Sequence, residues 1–277
     1  MQTFRHEAMA TYFEIVVAEQ EREYARQASV ACFRELERLE TILSRFIESS
    51  DISRINRLAR GETTTLNDET LECLLIAADV SLATRRAFDP AYASSRPTDL
   101  PVDAPPFTLD PEAHALTSLS DQLHVDLGAV GKGYALDCLA EILRDWQISA
   151  ASLNAGGSSV LALGTPSPTA PGWDFGVGEG DVRVIVALTG ASLSGSGTAV
   201  KGQHLFDPRT GDPAARHIRT WALAPNAAQA DALSTAFFVM PEEEISALCN
   251  EHPEIGAALV TSDERLVAYG ALRRFIE

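Results

Sequence analysis

Residues 12–17, YFEIVV, form a short run of aromatic and β-branched residues interrupted at Glu14, which predicts a strand. Over residues 22–46 the rhythm changes: Ala28, Cys32, Leu36, Leu39, Leu43 and Phe46 step by three and four, which predicts one long helix. Asn67-Asp68 caps a second helix with Leu71, Leu74, Leu75, Ala78 and Leu82 on its apolar face. Residues 94–112, rich in proline and aspartate, predict a loop or lid. A strand at residues 123–125 leads through a glycine-rich stretch into a helix that buries Leu136, Leu139, Ile142, Leu143 and Trp146. Short strands follow at 151–153, 160–163, 174–177, 183–188 and 220–223, then a helix over 228–240 and another from Pro241. Residues 257–261 and 265–269 form a closing hairpin. Helices and strands mix without regular β-α-β alternation, so the fold class is α+β, with mixed or antiparallel sheets and packed helices. No repeat or linker divides the chain, which reads as one domain over residues 1–277, in one lobe or in two with a ligand cleft between them.

Charge narrows the partners. Thirty-nine acidic against twenty-two basic residues leave a net charge of −17, which opposes non-specific binding to nucleic acids or to anionic membrane surfaces. A phosphorylated ligand would need a local cation or a metal. Cys32, Cys73, Cys138 and Cys249 form no Cys-x-x-Cys pair, so neither a zinc knuckle nor a disulfide framework is expected. No apolar run reaches membrane-spanning length, and the expected location is cytoplasmic.

Four segments carry candidate chemistry. Residues 125–137, VDLGAVGKGYALD, leave a strand, pass three glycines and a lysine, and enter a helix. A helix start presents unpaired N–H groups and a positive dipole end, suited to phosphate, although the glycines would equally let a helix pack close to a sheet. The spacing is not that of a P-loop. Asn154-Ala155-Gly156-Gly157-Ser158 has hairpin-turn chemistry and would also let a ligand approach the backbone. Asp231 and Thr235 stand i, i+4 on a predicted helix, a carboxylate and a hydroxyl on one face, which suits Mg²⁺ or a capping role. His204 precedes Asp207-Pro208-Arg209-Thr210-Gly211 and could take a proton near neutral pH, or simply pack on the turn. No Gly-x-Ser-x-Gly elbow supports an esterase.

In this order the segments, together with Met9-Ala10-Thr11 and Phe88-Asp89-Pro90, resemble the ApbE family of FAD:protein FMN transferases. The resemblance implies an ApbE-like α+β fold that binds FAD with Mg²⁺ and moves FMN to a threonine or serine hydroxyl of an acceptor protein, releasing AMP. It implies metal ligation by the side chains of Asp231 and Thr235 and by the Ala129 carbonyl. Asp126, Gly128, Lys132, Gly133 and Asp137 would fall in the FAD-binding stretch, with Asn154, Gly156 and Gly157 lining the same cleft. Met9 and Tyr92 would lie near the flavin. His204 would be the base for the acceptor hydroxyl, and Asp231 would share the catalytic work.

Two departures stand out. Ala10 replaces the family's usual glycine, and Pro90-Ala91-Tyr92 replaces the usual continuation after Phe88-Asp89. The same site could give FMN and AMP by hydrolysis, as an FAD pyrophosphatase, or hold FAD without chemistry. Thr189-Gly190-Ala191-Ser192 is similar to the core of a flavin-acceptor motif, and equally to a strand end.

Overall fold

The computed structural model describes residues 1–95, 99, 101, 104–197, 206–214 and 216–276. The chain opens with β1 (Gln2–Ala8) and β2 (Thr11–Val17), followed by α1 (Arg22–Leu43), α2 (Asp51–Ile55), β3 (Thr63–Thr65) and α3 (Asp68–Ala83). Strands β4 (Phe107–Asp110) and β5 (Ala115–Ser118) precede α4 (Gly131–Asp145), β6 (Ala151–Ala155) and β7 (Ser159–Leu163). Next come β8 (Trp173–Val177), β9 (Val184–Leu188), β10 (Ala191–Gly197) and β11 (His217–Ala224). Helices α5 (Ala227–Val239) and α6 (Glu242–Glu251), strands β12 (Gly256–Thr261) and β13 (Leu266–Gly270), and α7 (Arg273–Ile276) complete the described chain.

Eight strands form one sheet in the order β1-β2-β6-β7-β10-β11-β12-β13, every neighbouring pair antiparallel. The fold is α+β, as the mixed pattern predicts. One face carries Leu153, Leu161 and Ala222 against the buried stripes of α1, α4 and α5. The other carries Val160, Leu193, Trp221 and Val260 under the hairpin of β8 and β9. Burying both faces makes the central strands nearly continuous in apolar or small residues, the pattern of a covered sheet.

Four expectations need correction. The first helix ends at Leu43, and Phe46 is 82% exposed instead of continuing the buried stripe. On α3 the buried face is Leu71, Cys73, Leu74, Ala77 and Val80, while Leu75 and Leu82 point outward. Residues 123–125 are extended but join no sheet; side chains satisfy their backbone. Val125 N donates to Asn56 Oδ1 at 2.6 Å, Asn56 Nδ2 donates to Val125 O at 2.9 Å, and His124 N donates to Ser94 Oγ at 2.9 Å. Buried backbone groups need partners, and two side chains replace a neighbouring strand here. Finally, the proline-rich stretch is not all loop, since Phe107 to Asp110 pair with β5.

Central strand β10 escapes the periodicity reading. Its sequence, ASLSGSG, has the composition of a loop. It is nevertheless held on both sides, by β7 and β11, so tertiary pairing overrides weak intrinsic preference.

Candidate functional site

Serines 192, 194 and 196 share one face of β10, and that face meets α5. Two residues of strand advance about 6.6 Å and four residues of helix about 6 Å, so alternate strand positions can serve an i, i+4 pair. They do. Ser194 Oγ reaches Asp231 Oδ1 at 3.1 Å, and Ser196 Oγ lies 3.2 Å from Thr235 Oγ1 and 2.9 Å from Ser234 Oγ. Ser159, directly across from Ser194 on β7, donates a second bond to Asp231 Oδ1 at 3.1 Å. Asp231 itself is buried, and a buried carboxylate requires this density of donors.

Its other oxygen faces α4. Lys132 Nζ lies 3.1 Å from Asp231 Oδ2, and the Gly133 N–H donates to the same oxygen at 3.2 Å. The lysine also donates to Gly128 O at 3.1 Å. Gly128 N in turn donates to Asp126 Oδ1 at 2.8 Å, and Arg45 Nε stands 3.3 Å from Asp126 Oδ2. The Arg45 guanidinium lies 4.5 Å over the Phe46 ring, so an exposed aromatic face is anchored beside the glycine-rich stretch. Asp126 N also donates to Pro90 O at 2.8 Å, which brings the exposed Tyr92 to the same flank.

The turn between β6 and β7 forms the opposite wall. Gly156 (φ +62°) donates to Tyr12 O at 2.8 Å, and a Cβ there would collide with the Thr11 hydroxyl. The contact locks the Met9-Ala10 turn against the Asn154–Gly157 turn. Asn154 Oδ1 accepts from Gly157 N at 2.9 Å, and Met9 N donates to Glu40 Oε1 at 2.8 Å. Beyond this wall a cavity of about 600 Å³ opens under the β8–β9 hairpin, lined by Asn154, Ser158, Leu193, Arg183, Arg219 and Trp221. Arg219 pairs with Glu179 at 2.8 Å and lies over the Trp221 ring, leaving Arg183 as a further cation at the cavity.

Asp137 stands elsewhere. Its carboxylate accepts from Ala227 N and Ala228 N, both at 2.8 Å, and so caps the start of α5. Burial pushes its carboxyl up to about 6, against the opposing pull of those two N–H groups. It borders a separate cavity of about 240 Å³ with Glu72, Tyr134 and Arg144, where the Tyr134 hydroxyl donates to Glu72 at 2.7 Å. His204 lies outside the described residues. The turn after it is described: Asp207 accepts from Thr210 N and Gly211 N through its carbonyl, and Arg209 bridges Asp207 and Glu244. In the Thr189–Ser192 run, Thr189 is exposed, but Ser192 is completely buried in β10.

Periodicity missed Ser159, Ser194, Ser196 and Arg45, and set Phe46 on a buried helical stripe. The alternating serines at 192, 194 and 196 were the signal available for the first group; an arginine-aromatic pair outside a helix was the signal for the second.

Among the described residues no cluster of three or more His, Cys, Asp or Glu side chains could hold a metal. The donors at Asp231 and Thr235 are one carboxylate and one partly accessible hydroxyl, both hard oxygens. That set fits Mg²⁺, which binds through one or two carboxylates and keeps waters and ligand phosphates for the rest of its shell. Lys132 already places one positive charge against the same carboxylate. No helix among the described residues is long and apolar enough to cross a membrane.

Comparison with known proteins shows a family and a shared fold. The model of the ApbE family matches residues 9–259. An FAD:protein FMN transferase of Treponema pallidum is 29% identical over 176 residues, covering 56% of this chain and 48% of the relative. One from Haemophilus influenzae is 26% identical over 170 residues, covering 56% and 49%. The chain thus spans about half the length of the curated relatives it matches. The flavin transferase ApbE from Vibrio cholerae superposes with a TM-score of 0.82 at 20% identity, covering 99% of both chains. The apo flavinyl transferase ApbE of Pseudomonas stutzeri gives 0.84 at 20% identity, covering 99% of this chain and 96% of the other. At that identity the likeness establishes a shared fold.

Proposed function

This chain belongs to the ApbE family, and from that premise we propose that it is an FAD:protein FMN transferase dependent on Mg²⁺. One observation carries the reading. Segments far apart in sequence, around Gly128–Gly133, Ser158–Ser159, Ser194 and Asp231, converge on a single buried carboxylate with a lysine on one side and a neutral hydroxyl network on the other. The proposal takes residues 1–277 as one transferase domain, because the first and last strands of the chain belong to the same sheet.

In this reading Lys132 and the N–H groups at the start of α4 meet the pyrophosphate of FAD, as charge and helix polarity favour. The exposed Phe46 ring and Tyr92 offer aromatic surface to the flavin on one flank. The Asn154–Gly157 turn and the cavity at Trp221 and Arg183 offer room for the adenylate half on the other. Mg²⁺, held by Asp231, Thr235 and the Ala129 carbonyl, would supply Lewis-acid polarisation of the phosphate oxygens and neutralise charge on the leaving group. His204 accepts the proton of the acceptor's threonine or serine hydroxyl. That oxygen forms a bond to the FMN phosphorus while the bond from phosphorus to the AMP oxygen breaks, so FMN becomes attached and AMP departs. The barrier falls mainly through positioning and charge complementarity.

The test is incubation with FAD and MgCl₂, with and without a protein bearing a Thr/Ser flavin-acceptor motif. Transfer gives AMP together with a fluorescent acceptor band. AMP and free FMN without acceptor would identify a pyrophosphatase instead. Tight FAD binding with no AMP under either condition would leave only a binding protein. Asp231→Ala should abolish the metal-dependent release of AMP, and His204→Ala should keep FAD binding while slowing transfer.

A further inference from the structure

We infer that Ser159 and Ser194 are positioning residues that hold the Asp231 carboxylate by one oxygen and present the other to a bound cation. This rests on the reading of Asp231 as the charged ligand of the proposed site.

The geometry is specific. Ser159 and Ser194 are paired across β7 and β10, and their hydroxyls lie 2.8 Å apart. Each is also 3.1 Å from Asp231 Oδ1. Ser194 Oγ has one further acceptor within reach, Ser158 O at 3.2 Å. A serine hydroxyl carries a single proton, so two protons must be divided among the carboxylate oxygen, the Ser158 carbonyl and the contact between the serines. When Ser194 donates to its neighbour, Ser159 gives its proton to Oδ1; when Ser159 donates to its neighbour, Ser194 shares its proton between Oδ1 and the Ser158 carbonyl. That oxygen thus faces two buried sheet hydroxyls. Among the described residues Oδ2 is met by α4, through Lys132 Nζ at 3.1 Å and the Gly133 N–H at 3.2 Å, and the same lysine stands farther from Oδ1, at 3.5 Å. The sheet thus supplies the two shortest contacts to Oδ1, and α4 supplies those to Oδ2.

Both serines are buried, at 0% and 1% exposure, so neither is a surface hydroxyl that happens to lie near. Their alternatives in buried strands would be apolar, and a buried hydroxyl is costly unless bonded. The same strand supplies an internal control. Ser192 occupies the same face two residues away, is equally buried, and its hydroxyl has no hydrogen-bond partner among the described residues. Among the described residues no hydrogen bond ties Ser192 to Asp231. Outer partners of metal-ligating carboxylates fix their orientation, and their loss costs about 10–100-fold in metal affinity.

The experiment measures Mn²⁺ affinity of the full chain from the free-ion EPR signal, without substrate, for wild type, Ser159→Ala, Ser194→Ala, Ser192→Ala and Asp231→Ala. Circular dichroism and urea unfolding confirm that each variant is folded. The expected result is a loss of about 10-fold or more for the Ser159 and Ser194 variants, none for Ser192→Ala, and abolition for Asp231→Ala. Equal losses in Ser192→Ala and Ser194→Ala would mean that packing is responsible, overturning the positioning role. Unchanged affinity in Ser159→Ala and Ser194→Ala, with Asp231→Ala inactive in binding, would overturn it too while leaving the metal reading intact. Unchanged affinity in Asp231→Ala would overturn both, because the serines can act only through that carboxylate.

Discussion

Gly133 on α4 and Ala227 at the start of α5 meet backbone to backbone: a Cβ placed on Gly133 would run into the carbonyl oxygen of Ala227. This contact brings the two helices close enough for the Gly133 N–H and Lys132 to reach Asp231. The glycine therefore serves close packing at the same position where it borders the proposed phosphate site.

Gly133→Ala should destabilise the fold by about 1–3 kcal/mol, the usual cost of forcing an extra carbon into a packed interior. Urea unfolding measures it. An unchanged midpoint would show that α4 can shift freely, contrary to the contact described.

Ala10→Gly should do the reverse. Ala8 pairs with Thr11, which leaves Met9 and Ala10 as a two-residue turn with φ of 51° and 56°. Left-handed backbone costs an L-residue about 1–2 kcal/mol, while the extra freedom of glycine in the unfolded chain returns about 0.4–1 kcal/mol. The net gain should be about 0.5–1 kcal/mol by the difference of those two effects, read from urea unfolding. A lower midpoint would contradict the left-handed turn.

The buried Asp137 carboxyl predicts a pH dependence. Desolvation raises it to about 6, opposed by the N–H groups of Ala227 and Ala228. An unfolded aspartate titrates near pH ~3.9. Between these values the native chain keeps a proton that the unfolded chain has lost, so this group's contribution to stability falls as pH rises through the window. Asp137→Asn removes the titration. The stability of wild type minus that of the variant should decrease from about pH 4 to pH 7, and a difference that rises instead would refute the burial argument.

Phe46→Ala should leave stability within about 0.5 kcal/mol, since the ring is 82% exposed. It should nevertheless weaken FAD binding by about 1–3 kcal/mol if the ring stacks on the ligand, the range known for aromatic–base stacking. Equilibrium titration of FAD fluorescence measures this, and unaltered affinity would remove Phe46 from the site.

Much of the site was legible in residue order. The i, i+4 spacing of Asp231 and Thr235 did place both on one side of α5, facing the serines of β10. The Asn154–Gly157 turn is a hairpin, as its glycines indicate. Phe46 shows why other parts were illegible. A step of three from Leu43 looks helical, but the helix stops at Leu43 and nothing in the spacing records that stop. Residues 123–125 look like a strand because they are extended and apolar, yet their partners are the side chains of Asn56 and Ser94.

The sequence by itself determined most of the local elements, the α+β class, and the residue types able to meet a phosphate and a hard cation. Local periodicity reports which face of each element is buried, and turn chemistry reports where the chain reverses. Only the tertiary structure decided that β10, written in serine and glycine, is a central strand, and that Ser159 and Ser194 stand together on Asp231. Those facts depend on register between strands 35 residues apart in their paired serines and on the depth of a helix against a sheet. Such relations arise when distant segments are packed together, and no spacing within one segment encodes them.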